Sequence, residues 1–363
     1  MEYPPVSVVM PARNEERHLA ESVRHVLGQD YPGELELVLA VGPSADRTEQ
    51  IARDLAVAEP RLTVLANPTG KIPAALNAAV RAARHAVIAR VDGHALLPPS
   101  YLRTAVAVLA ATGAADVGGV MAAQGVTAFQ RAVAWAMTSK AGVGSAAFHT
   151  GGGAGPADSV YLGVYHREAI VQAGGYDEEM LRAEDWDLNY RIRARGGQIW
   201  FTPELRVTYR PRASVPALGS QYFHYGRWRR VIVREHPETA SFRYLAPPAA
   251  AGLVALGLAA GVAGLAATAA MGGGSPPAVR WLAAGFVIPV TYLAGITALA
   301  AVLTQGVPAA VRARAPLVLG VMHMCWGTGF LTSPRRLHRS GEADTRVRSG
   351  EKKAEGTAAV GGE

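Results

Sequence analysis

Residues 6–15 of the 363-residue chain run VSVVMPARNE, a short β-branched apolar segment that ends in Pro, Arg, Asn and Glu. An apolar run of this length, closed by turn-forming residues, predicts a buried strand over Val6–Met10. The polar residues after it predict a loop, and the segment from Glu15 to Leu27 predicts a helix that ends near Gly28. This strand, loop and helix set the fold class of the N-terminal part.

The same alternation continues along the chain. Further strands are expected at Leu35–Val41, Thr63–Ala66 and Val87–Val91, and helices at Thr48–Ala58 and Ile72–Ala83. Strand–helix alternation at this spacing predicts an α/β fold, a mostly parallel sheet with helices on both faces. Ligands of such sheets bind beyond the carboxyl ends of the strands.

Three polar segments follow the predicted strands at that edge: Pro11–Glu15, Ser44–Thr48 and Asp92–His94. In the last of them a carboxylate and an imidazole lie two residues apart in one strand-end turn. They can form part of a coordination set for Mg²⁺ or Mn²⁺, which diphosphate oxygens and water would complete. Asp-Gly is also the commonest of turns, so the triplet alone favours a structural interpretation.

A run of acidic residues, EDWD at 184–187, opens a predicted helix that continues to Arg195. Acids at the start and arginines at the end are what the helix dipole favours, so helix stability explains the charge order. It does not explain the apolar Trp186 inside an acidic first turn. Close carboxylates raise one another's pKa, a property that suits a general base, and Glu184 and Asp185 are the candidates.

The composition changes after about residue 245. Ala249–Ala270 and Trp281–Leu303 are uncharged apolar runs, each long enough to cross a hydrocarbon core of ~30 Å. A third apolar stretch, Ala315–Leu331, is shorter and has arginines on both sides, which suits a re-entrant or interfacial segment as well as a third span. A buried hairpin of a soluble protein is the alternative for the two longer runs.

The charges around these runs predict a topology. Arginines crowd the approach to the first run, whereas the connecting loop carries only Arg280. By the positive-inside rule, a catalytic domain over residues 1–240 is cytoplasmic and a multi-pass region over 245–332 lies in the cell membrane. The chain opens without a basic segment, so no cleaved signal peptide is expected. The charged, Gly-rich tail at 340–363 is expected to be disordered.

Amino-acid composition excludes few classes of function. The chain is 50% apolar with a mean hydropathy of +0.12, and it carries a formal net charge of +7. A basic balance suits nucleic acid, anionic lipid headgroups or diphosphate substrates, and composition does not choose among them. The single cysteine, Cys325, excludes an intrachain disulfide and a thiolate metal cluster.

Residues 221–230, QYFHYGRWRR, mix aromatic and basic side chains just ahead of the first apolar run. An interfacial belt of this composition is typical of membrane proteins. The alternative is a contact with a diphosphate or an acceptor at the membrane face.

Five segments, taken in order, resemble the family-2 inverting glycosyltransferases of the GT-A nucleotide-diphospho-sugar transferase fold. The resemblance covers about residues 5–235 and is closest to the bacterial exopolysaccharide branch related to succinoglycan glucosyltransferases. The segments are VSVVMPARNE at 6–15, SADRT at 44–48, RVDGH at 90–94, GGYDE at 174–178 before EDWD, and Gln221 through Arg227-Trp228.

The resemblance implies a role for each matching residue. Asp185 would be the catalytic base, with Glu184 beside it, and Asp92 and His94 would be the metal ligands. The donor nucleotide would be bound by Pro11, Arg13, Asn14, Glu15, Asp46, Lys71, Asn77, Arg90 and Asp92. The acceptor and diphosphate would be held by Asp187, Gln221, Arg227 and Trp228.

Two departures from the family pattern bear on the substrate and the metal. Val41-Gly42-Pro43 stands where an acidic pair usually precedes the Ser-x-Asp loop, so the choice of UDP is open. His94 replaces the last acid of the usual Asp-x-Asp, which favours Mn²⁺ slightly over Mg²⁺. The long spacing from Gln221 to Arg227 and the few membrane segments argue against a polymer-extruding synthase.

The expected function is therefore that of a membrane-anchored hexosyltransferase. It would move one sugar from a nucleoside-diphosphate sugar to a lipid-linked or polysaccharide acceptor in cell-envelope or exopolysaccharide synthesis, with no nucleic-acid partner. A catalytically inactive membrane partner of the same fold is the alternative. A nucleotidyltransferase sharing the sheet is a third, which the acidic helix and the membrane region fit poorly.

Overall fold

The computed structural model describes residues 3–271, 276–335 and 337, so the tail at 340–363 lies outside the described residues. One eight-stranded sheet forms the centre of the N-terminal part. Its strands are β1 Val6–Ala12, β2 Leu35–Val41, β3 Leu62–Ala66, β4 Val87–Arg90, β5 Asp116–Ala123, β6 Gly155–Pro156, β7 Tyr161–His166 and β8 Ile199–Tyr209.

The strand order is β3-β2-β1-β4-β7-β5-β8-β6. The four strands β1 to β4 pair in parallel, as do β5 and β8, whereas β7 and β6 run antiparallel to their neighbours. Every residue of β1 and β2 is buried. Interior strands of a parallel sheet are covered on both faces, which is why these two are apolar apart from Ser7 and Glu36, whose side chains form a buried hydrogen bond with each other. The predicted mostly parallel sheet is confirmed.

Helices cover both faces of this sheet and form the C-terminal part. They are α1 Leu19–Leu27, α2 Thr48–Ala58, α3 Ile72–Ala82, α4 Tyr101–Thr112, α5 Ala128–Met137, α6 Lys140–Val143, α7 Ala147–Thr150, α8 Arg167–Gln172, α9 Glu184–Ala194, α10 Val215–Glu235, α11 Phe242–Ala270, α12 Pro277–Ala283, α13 Val287–Leu303, α14 Ala309–Arg312 and α15 Ala315–Leu331. Helices α1, α2 and α4 pack in the core on one face of the sheet, and α3, α8 and α9 pack in the core on the other.

The first helix begins later than the sequence predicts. It starts at Leu19 rather than Glu15, and the intervening residues form a turn in which the Glu15 carbonyl accepts hydrogen bonds from the amides of His18 and Leu19. The amides of Asn14, Glu15 and Glu16 donate to side chains of the loop that follows β2. Residues 15–18 therefore belong to the strand-end loop.

Two helical segments are long and apolar enough to cross a membrane. Phe242–Ala270 has 29 residues with a hydropathy of 2.0, and Pro277–Leu303 has 27 residues with a hydropathy of 2.1. They contain the two runs expected at 249–270 and 281–303. In the most apolar 18-residue window of each segment, 22% and 11% of the residues are buried, a smaller share than in a core helix of a soluble protein.

Helix α15, the third apolar stretch, has 17 residues and packs along α10. The two helices approach closely at glycines. A methyl group at Gly226 would overlap the carbonyl oxygen of Trp326, and one at Gly329 would overlap that of Phe223. This close contact joins the C-terminal helices to the part of the chain that carries the sheet.

Candidate active site

Two strand-end loops, residues 13–16 after β1 and 44–48 after β2, are joined side by side. Asn14 has a φ of 56°, a left-handed conformation that asparagine tolerates better than most residues. Five hydrogen bonds join the loops: Asn14 N to Ser44 Oγ at 3.1 Å, Glu15 N to Thr48 Oγ1 at 2.7 Å, Glu16 N to Asp46 Oδ2 at 3.1 Å, Ala45 N to Asn14 Oδ1 at 2.8 Å and Arg47 N to Glu16 Oε2 at 2.9 Å. They fix the shape of the edge where ligands of such sheets bind.

Asp46 holds this pair of loops together. Its Oδ1 accepts from the Thr48 amide at 3.0 Å, and its Oδ2 accepts from the Glu16 amide. Burial alone would raise the pKa of Asp46, but these hydrogen bonds outweigh it and lower the pKa below its usual value. The carboxylate is thus occupied by backbone and hydroxyl donors, and it does not line the adjacent cleft.

A cleft opens at the carboxyl ends of β1 and β4. Its empty space, including the open mouth, is about 600 Å³. Eight of the predicted site residues line it: Pro11, Arg13, Asn14, Glu15, Arg90, Asp92, His94 and Glu184. The sheet edge thus brings together residues from three separate sequence segments, as the strand-end positions predict.

Arg90 lies at the centre of this group and is only 7% exposed. Its Nη2 lies 2.8 Å from Oε1 of Glu184 and 3.4 Å from Oδ1 of Asp92. Burial alone would lower the pKa of Arg90, but Asp92 and then Glu184 outweigh it and raise the pKa well above the usual value. The guanidinium therefore stays charged and holds two carboxylates at one end of the cleft.

Two further donors of Arg90, Nε and Nη1, are buried without a hydrogen-bond partner among the described residues. Arginine is the side chain best suited to bind phosphate, because its planar donors match two oxygens at once. Arg90 thus binds the two carboxylates through Nη2, and its two other donors suit an anionic ligand.

Helix α9 begins at the cleft with Glu184. The residue before it, Ala183, has a φ of 62° and a ψ of 24°, a conformation that costs energy for a residue other than glycine. Burial raises the pKa of Glu184, Arg90 opposes this rise, and Asp185 adds to it. Asp185 is half-buried and its Oδ1 accepts a hydrogen bond from the Trp186 amide at 2.7 Å.

His94 faces Glu15 across the cleft, with its Nδ1 2.8 Å from the Glu15 Oε1. A proton on Nδ1, shared with this carboxylate, leaves Nε2 as the coordinating nitrogen, as in metal-binding histidines held by a second group. No cluster of three or more His, Cys, Asp or Glu suited to a metal ion occurs within the described ranges. Asp92 and His94 both line the cleft, and two side chains can supply only a part of the ligands of a divalent cation.

Lys71 and Asn77, expected near the nucleotide, instead contact the segment that leads into α9. The Asn77 amide donates to the Tyr176 carbonyl at 2.8 Å and accepts from the Tyr176 amide at 2.8 Å. Lys71 Nζ lies 3.5 Å from Glu179. Neither residue lines the cleft, although Gly70 and Ile72 on either side of Lys71 do. Asn77 holds the Gly-Gly-Tyr-Asp-Glu segment against α3, and Lys71 pairs with the residue that follows this segment.

Asp187 is buried inside α9 and pairs with Arg191, whose Nη2 lies 2.6 Å from its Oδ2. Arg191 also donates to the Ala173 carbonyl. The carboxylate of Asp187 does not line the cleft, and it orients Arg191, which joins α9 to the end of α8.

Of the predicted acceptor residues on α10, Trp228 packs against α9. Gln221 donates from Nε2 to the hydroxyls of Tyr209 and Tyr225, both at 2.9 Å. Trp228 is 3% exposed and packs in a small apolar cluster with Trp186. The Arg227 guanidinium lies 5.6 Å from the Phe223 ring. The structure thus places Trp228 in the packing between α9 and α10.

One residue that the sequence did not single out is Arg229. It is 8% exposed, and its guanidinium carbon lies 4.6 Å from the Trp186 ring and 3.9 Å from the Tyr244 ring. In the sequence it counts only as one of several arginines near the membrane. The available signal is its place on the buried stripe of α10, with Tyr222 and Ile232, where an apolar residue is expected.

The chain is similar in sequence to known proteins. The family model described as Glycosyl transferase family 2 matches residues 7–172. The chain is 33% identical over 331 residues to the succinoglycan biosynthesis protein ExoA of Rhizobium meliloti (strain 1021), which covers 89% of this chain and 93% of that protein.

Two further relatives extend the comparison. A Methanococcus voltae enzyme is 21% identical over 241 residues, covering 63% of this chain and 74% of that protein; its name is dolichyl N-acetyl-alpha-D-glucosaminyl phosphate 3-beta-D-2,3-diacetamido-2,3-dideoxy-beta-D-glucuronosyltransferase. The mannosyltransferase PcManGT from Pyrobaculum calidifontis, solved in complex with GDP-Man and Mn2+, matches with a TM-score of 0.56 at 22% identity, over 91% of this chain and 88% of that one.

The solved mannosyltransferase shows a shared fold, and the expected GT-A sheet flanked by helices is confirmed. The similarity to ExoA spans nearly the whole of both chains. The chain therefore belongs to glycosyltransferase family 2, in the branch of the succinoglycan biosynthesis protein ExoA.

Proposed function

We propose that this glycosyltransferase is a membrane-anchored, inverting hexosyltransferase that uses a nucleoside-diphosphate sugar. Its acceptor would be a lipid-linked sugar or a polysaccharide in exopolysaccharide or cell-envelope synthesis, in keeping with the name of its Rhizobium relative. The observation that carries the proposal is Arg90, which holds Asp92 and the start of the Asp185 helix at one cleft.

The nucleotide sugar would bind in the cleft beside the β1 loop. The loop is rigid because Asn14, Glu15 and Glu16 are hydrogen-bonded to the neighbouring loop. Arg13 is held by the Pro43 carbonyl, to which its Nε donates at 3.1 Å. A preformed loop with backbone and polar contacts is the usual means of orienting a nucleotide at low entropic cost.

Asp92 and His94 would hold the divalent cation, Mn²⁺ or Mg²⁺. When bound, the cation neutralises the charge that develops on the leaving diphosphate. The chain's own contribution is to fix both side chains at the cleft, Asp92 through Arg90 and His94 through Glu15.

Asp185 would act as the base. It accepts the proton of the acceptor hydroxyl while that oxygen forms a bond to the anomeric carbon and the bond from this carbon to the diphosphate oxygen breaks. Attack opposite the leaving group inverts the anomeric configuration. Glu184 lines the cleft but is engaged by Arg90, whereas Asp185, the next residue on the first turn of α9, is half-buried and lies outside the cleft lining. Asp185 would therefore receive the proton from an acceptor that reaches the cleft from the side of α9.

We assign residues 1–240 to a cytoplasmic catalytic domain and residues 245–332 to a multi-pass membrane region. The two long apolar helices and the arginines that precede them support this assignment. A lipid-linked acceptor would then be presented at the end of the catalytic domain that meets α11. The Methanococcus relative, whose name describes a dolichyl phosphate substrate, offers a parallel.

The test is a donor screen with the full chain in detergent and Mn²⁺, which measures released nucleoside diphosphate. The wild type is expected to hydrolyse or transfer from one donor class, and Asp185→Asn is expected to bind that donor with little change but to lose transfer. Unchanged turnover in Asp185→Asn would refute the assignment of the base. No binding of any donor by the wild type would favour the inactive membrane partner.

A further inference from the structure

A stack of rings around one buried arginine joins the catalytic helix to the C-terminal helices. Arg229 lies between the rings of Trp186 on α9 and Tyr244 on α11. Tyr190 stacks on the other side of Trp186, at 5.6 Å and 13°, and Trp326 on α15 lies parallel to Tyr244, at 6.4 Å and 9°. The stack therefore runs from the proposed base helix to the first candidate membrane helix.

Arg229 is buried without an acidic partner. Among the described residues no carboxylate forms a salt bridge with it, and its Nη1 has no hydrogen-bond partner. Burial is the main cause that lowers the pKa of Arg229; Tyr244 opposes this effect and Arg243 adds to it. Burying a cation is unfavourable, and contacts with two aromatic faces offset only a part of that cost.

A second guanidinium contacts the same ring. Arg243, at the first turn of α11, lies 4.5 Å from the Tyr244 ring and donates to the Tyr244 hydroxyl. Its Nη2 is 3.5 Å from Asp158, which also lies 3.6 Å from Arg193. The Asp158 side chain is 63% exposed, and this carboxylate forms ion pairs with Arg193 and Arg243 but not with Arg229.

The position of Trp186 gives this arrangement a direction. Trp186 is the residue after Asp185 on α9, and its ring centre lies 4.6 Å from the guanidinium carbon of Arg229. Arg229 does not line the donor cleft. A buried arginine outside the donor cleft therefore contacts the helix turn that carries the proposed base.

We propose that Arg229 and Arg243, with the hydroxyl groups of Tyr244 and Ser241, bind a phosphate group of the acceptor, and that this acceptor is a phosphate-bearing lipid. This rests on the proposed function and names the acceptor class for it. Planar guanidinium groups match phosphate oxygens, and the buried Ser241 Oγ has no hydrogen-bond partner among the described residues.

The position of these arginines and hydroxyl groups in the fold favours a lipid ligand over a soluble anion. Arg243 and Tyr244 belong to the first turn of a 29-residue apolar helix. The start of such a helix lies at the level of lipid headgroups, where phosphates are presented by the membrane itself. A sugar attached to such a phosphate would extend from Arg229 towards Asp185, which is the direction that transfer requires.

The test uses the full chain in nanodiscs of phosphatidylcholine and follows tryptophan fluorescence, since Trp186 lies directly on Arg229. The probes are a polyprenyl phosphate, the matching polyprenol without phosphate, and inorganic phosphate. The wild type is expected to bind the polyprenyl phosphate more tightly than the other two. Arg229→Gln and Arg243→Gln are each expected to weaken this binding by about ten- to a hundredfold, the loss of a charge-assisted hydrogen bond.

Arg230→Gln is the matched control, because Arg230 is the next residue on α10 but lies on the Phe330 ring, 4.9 Å from its centre. It is expected to keep wild-type binding. Arg243 is more exposed than Arg229, so its variant tests the site even where Arg229→Gln lowers stability. Donor binding, measured on every variant, reports an intact fold.

The outcomes separate the two proposals. Equal binding of polyprenyl phosphate and polyprenol, or unchanged phosphate binding in both arginine variants, would overturn the phosphate site while donor turnover stands. Inorganic phosphate binding as tightly as the lipid would overturn the lipid assignment. A wild type that releases no nucleoside diphosphate from any donor would overturn the proposed function and, with it, the acceptor assignment.

Discussion

Arg90 and Glu184, 94 residues apart in the chain, form a buried ion pair with Nη2 2.8 Å from Oε1. Arg90 comes at the end of β4, and Glu184 is the first residue of α9. The pair therefore ties the edge of the sheet to the helix that carries Asp185. Because both side chains are buried, removing one charge leaves the other buried without an opposite charge. The free energy of folding lost in this way is larger than the free energy that the intact pair contributes.

Replacing Arg90 is expected to destabilise the protein strongly. Arg90→Gln leaves the Glu184 carboxylate buried and unpaired, at a cost of about 3–5 kcal/mol. Urea unfolding of the full chain in detergent, followed by tryptophan fluorescence, measures the loss. Donor affinity should fall as well, since the buried Nε and Nη1 of Arg90 are the donors suited to a phosphate.

The double variant Arg90→Gln/Glu184→Gln is the control for this prediction. It removes the unpaired carboxylate, so part of the stability lost in Arg90→Gln should return. A loss of less than about 0.5 kcal/mol in the single variant, the range of an ordinary surface substitution, would show that the pair does not hold α9 in place.

The strands and the loops at their ends could be predicted from the sequence, and the reason is local. Each residue of β1 and β2 is buried, so their pattern is apolar except at Ser7 and Glu36, and the polar residues after the strands mark the ligand-binding edge. Pro11, Asp92 and His94 are found at the cleft because the carboxyl ends of parallel strands meet at one edge.

Contacts between distant residues could not be predicted in this way. Helix α1 starts at Leu19 because earlier backbone amides donate to the loop after β2, and no local pattern encodes that choice. Asp46 looks like a ligand-binding residue in a polar loop, yet its oxygens are taken by Thr48 and Glu16. Arg229 looks like a surface arginine in the sequence, and its contacts with Trp186 on α9 and Tyr244 on α11 are visible only in the fold.

Asn77 is expected to affect turnover more than donor binding. Its amide makes two hydrogen bonds to the backbone of Tyr176, in the segment that leads to the base helix. Asn77→Ala removes both and should cost about 1–3 kcal/mol, because the partners lose a buried contact. Steady-state kinetics should show a lower kcat with a nearly unchanged KM for the donor.

Two variants sharpen the test of Asn77. Asn77→Asp keeps an acceptor for the Tyr176 amide but loses the donor and adds a charge 3.1 Å from Glu178, so its defect should persist. Lys71→Ala removes an ion pair in which both side chains are well exposed, worth about 0–1 kcal/mol, and should be mild. A large rise in donor KM in Asn77→Ala would instead place Asn77 at the nucleotide.

Asp46 is expected to make stability depend on acid pH. Its pKa in the folded protein lies below the ordinary value of 3.8, so its contribution is present above that value and is lost as the pH falls through the folded-state pKa. Asp46→Asn should be less stable than the wild type at neutral pH, and this difference should shrink as the pH drops below 3.8.

Unfolding midpoints measured from about pH 6 to pH 3 would follow this trend. Asp54→Asn is the control, since Asp54 is an exposed residue on the same helix α2 whose carboxylate bonds only the exposed Gln50 side chain among the contacts described. A gap between wild type and Asp46→Asn that stays constant over this range would show that the charge of Asp46 does not stabilise the paired loops.

Gly226 is expected to be required for the close contact of α10 with α15. A methyl group there would overlap the Trp326 carbonyl oxygen, which belongs to a helix backbone and cannot rotate away. Gly226→Ala should therefore push the helices apart and cost about 1–3 kcal/mol, seen as a lower melting temperature. Since α10 also carries Arg229, the same shift should weaken the Arg229–Trp186 stack and change tryptophan fluorescence. Gly320 lies on α15, and a methyl group there would have no neighbour within 4 Å, so Gly320→Ala should leave the melting temperature and the fluorescence unchanged. Equal effects of the two variants would mean that the contact at Gly226 does not hold α10 against α15.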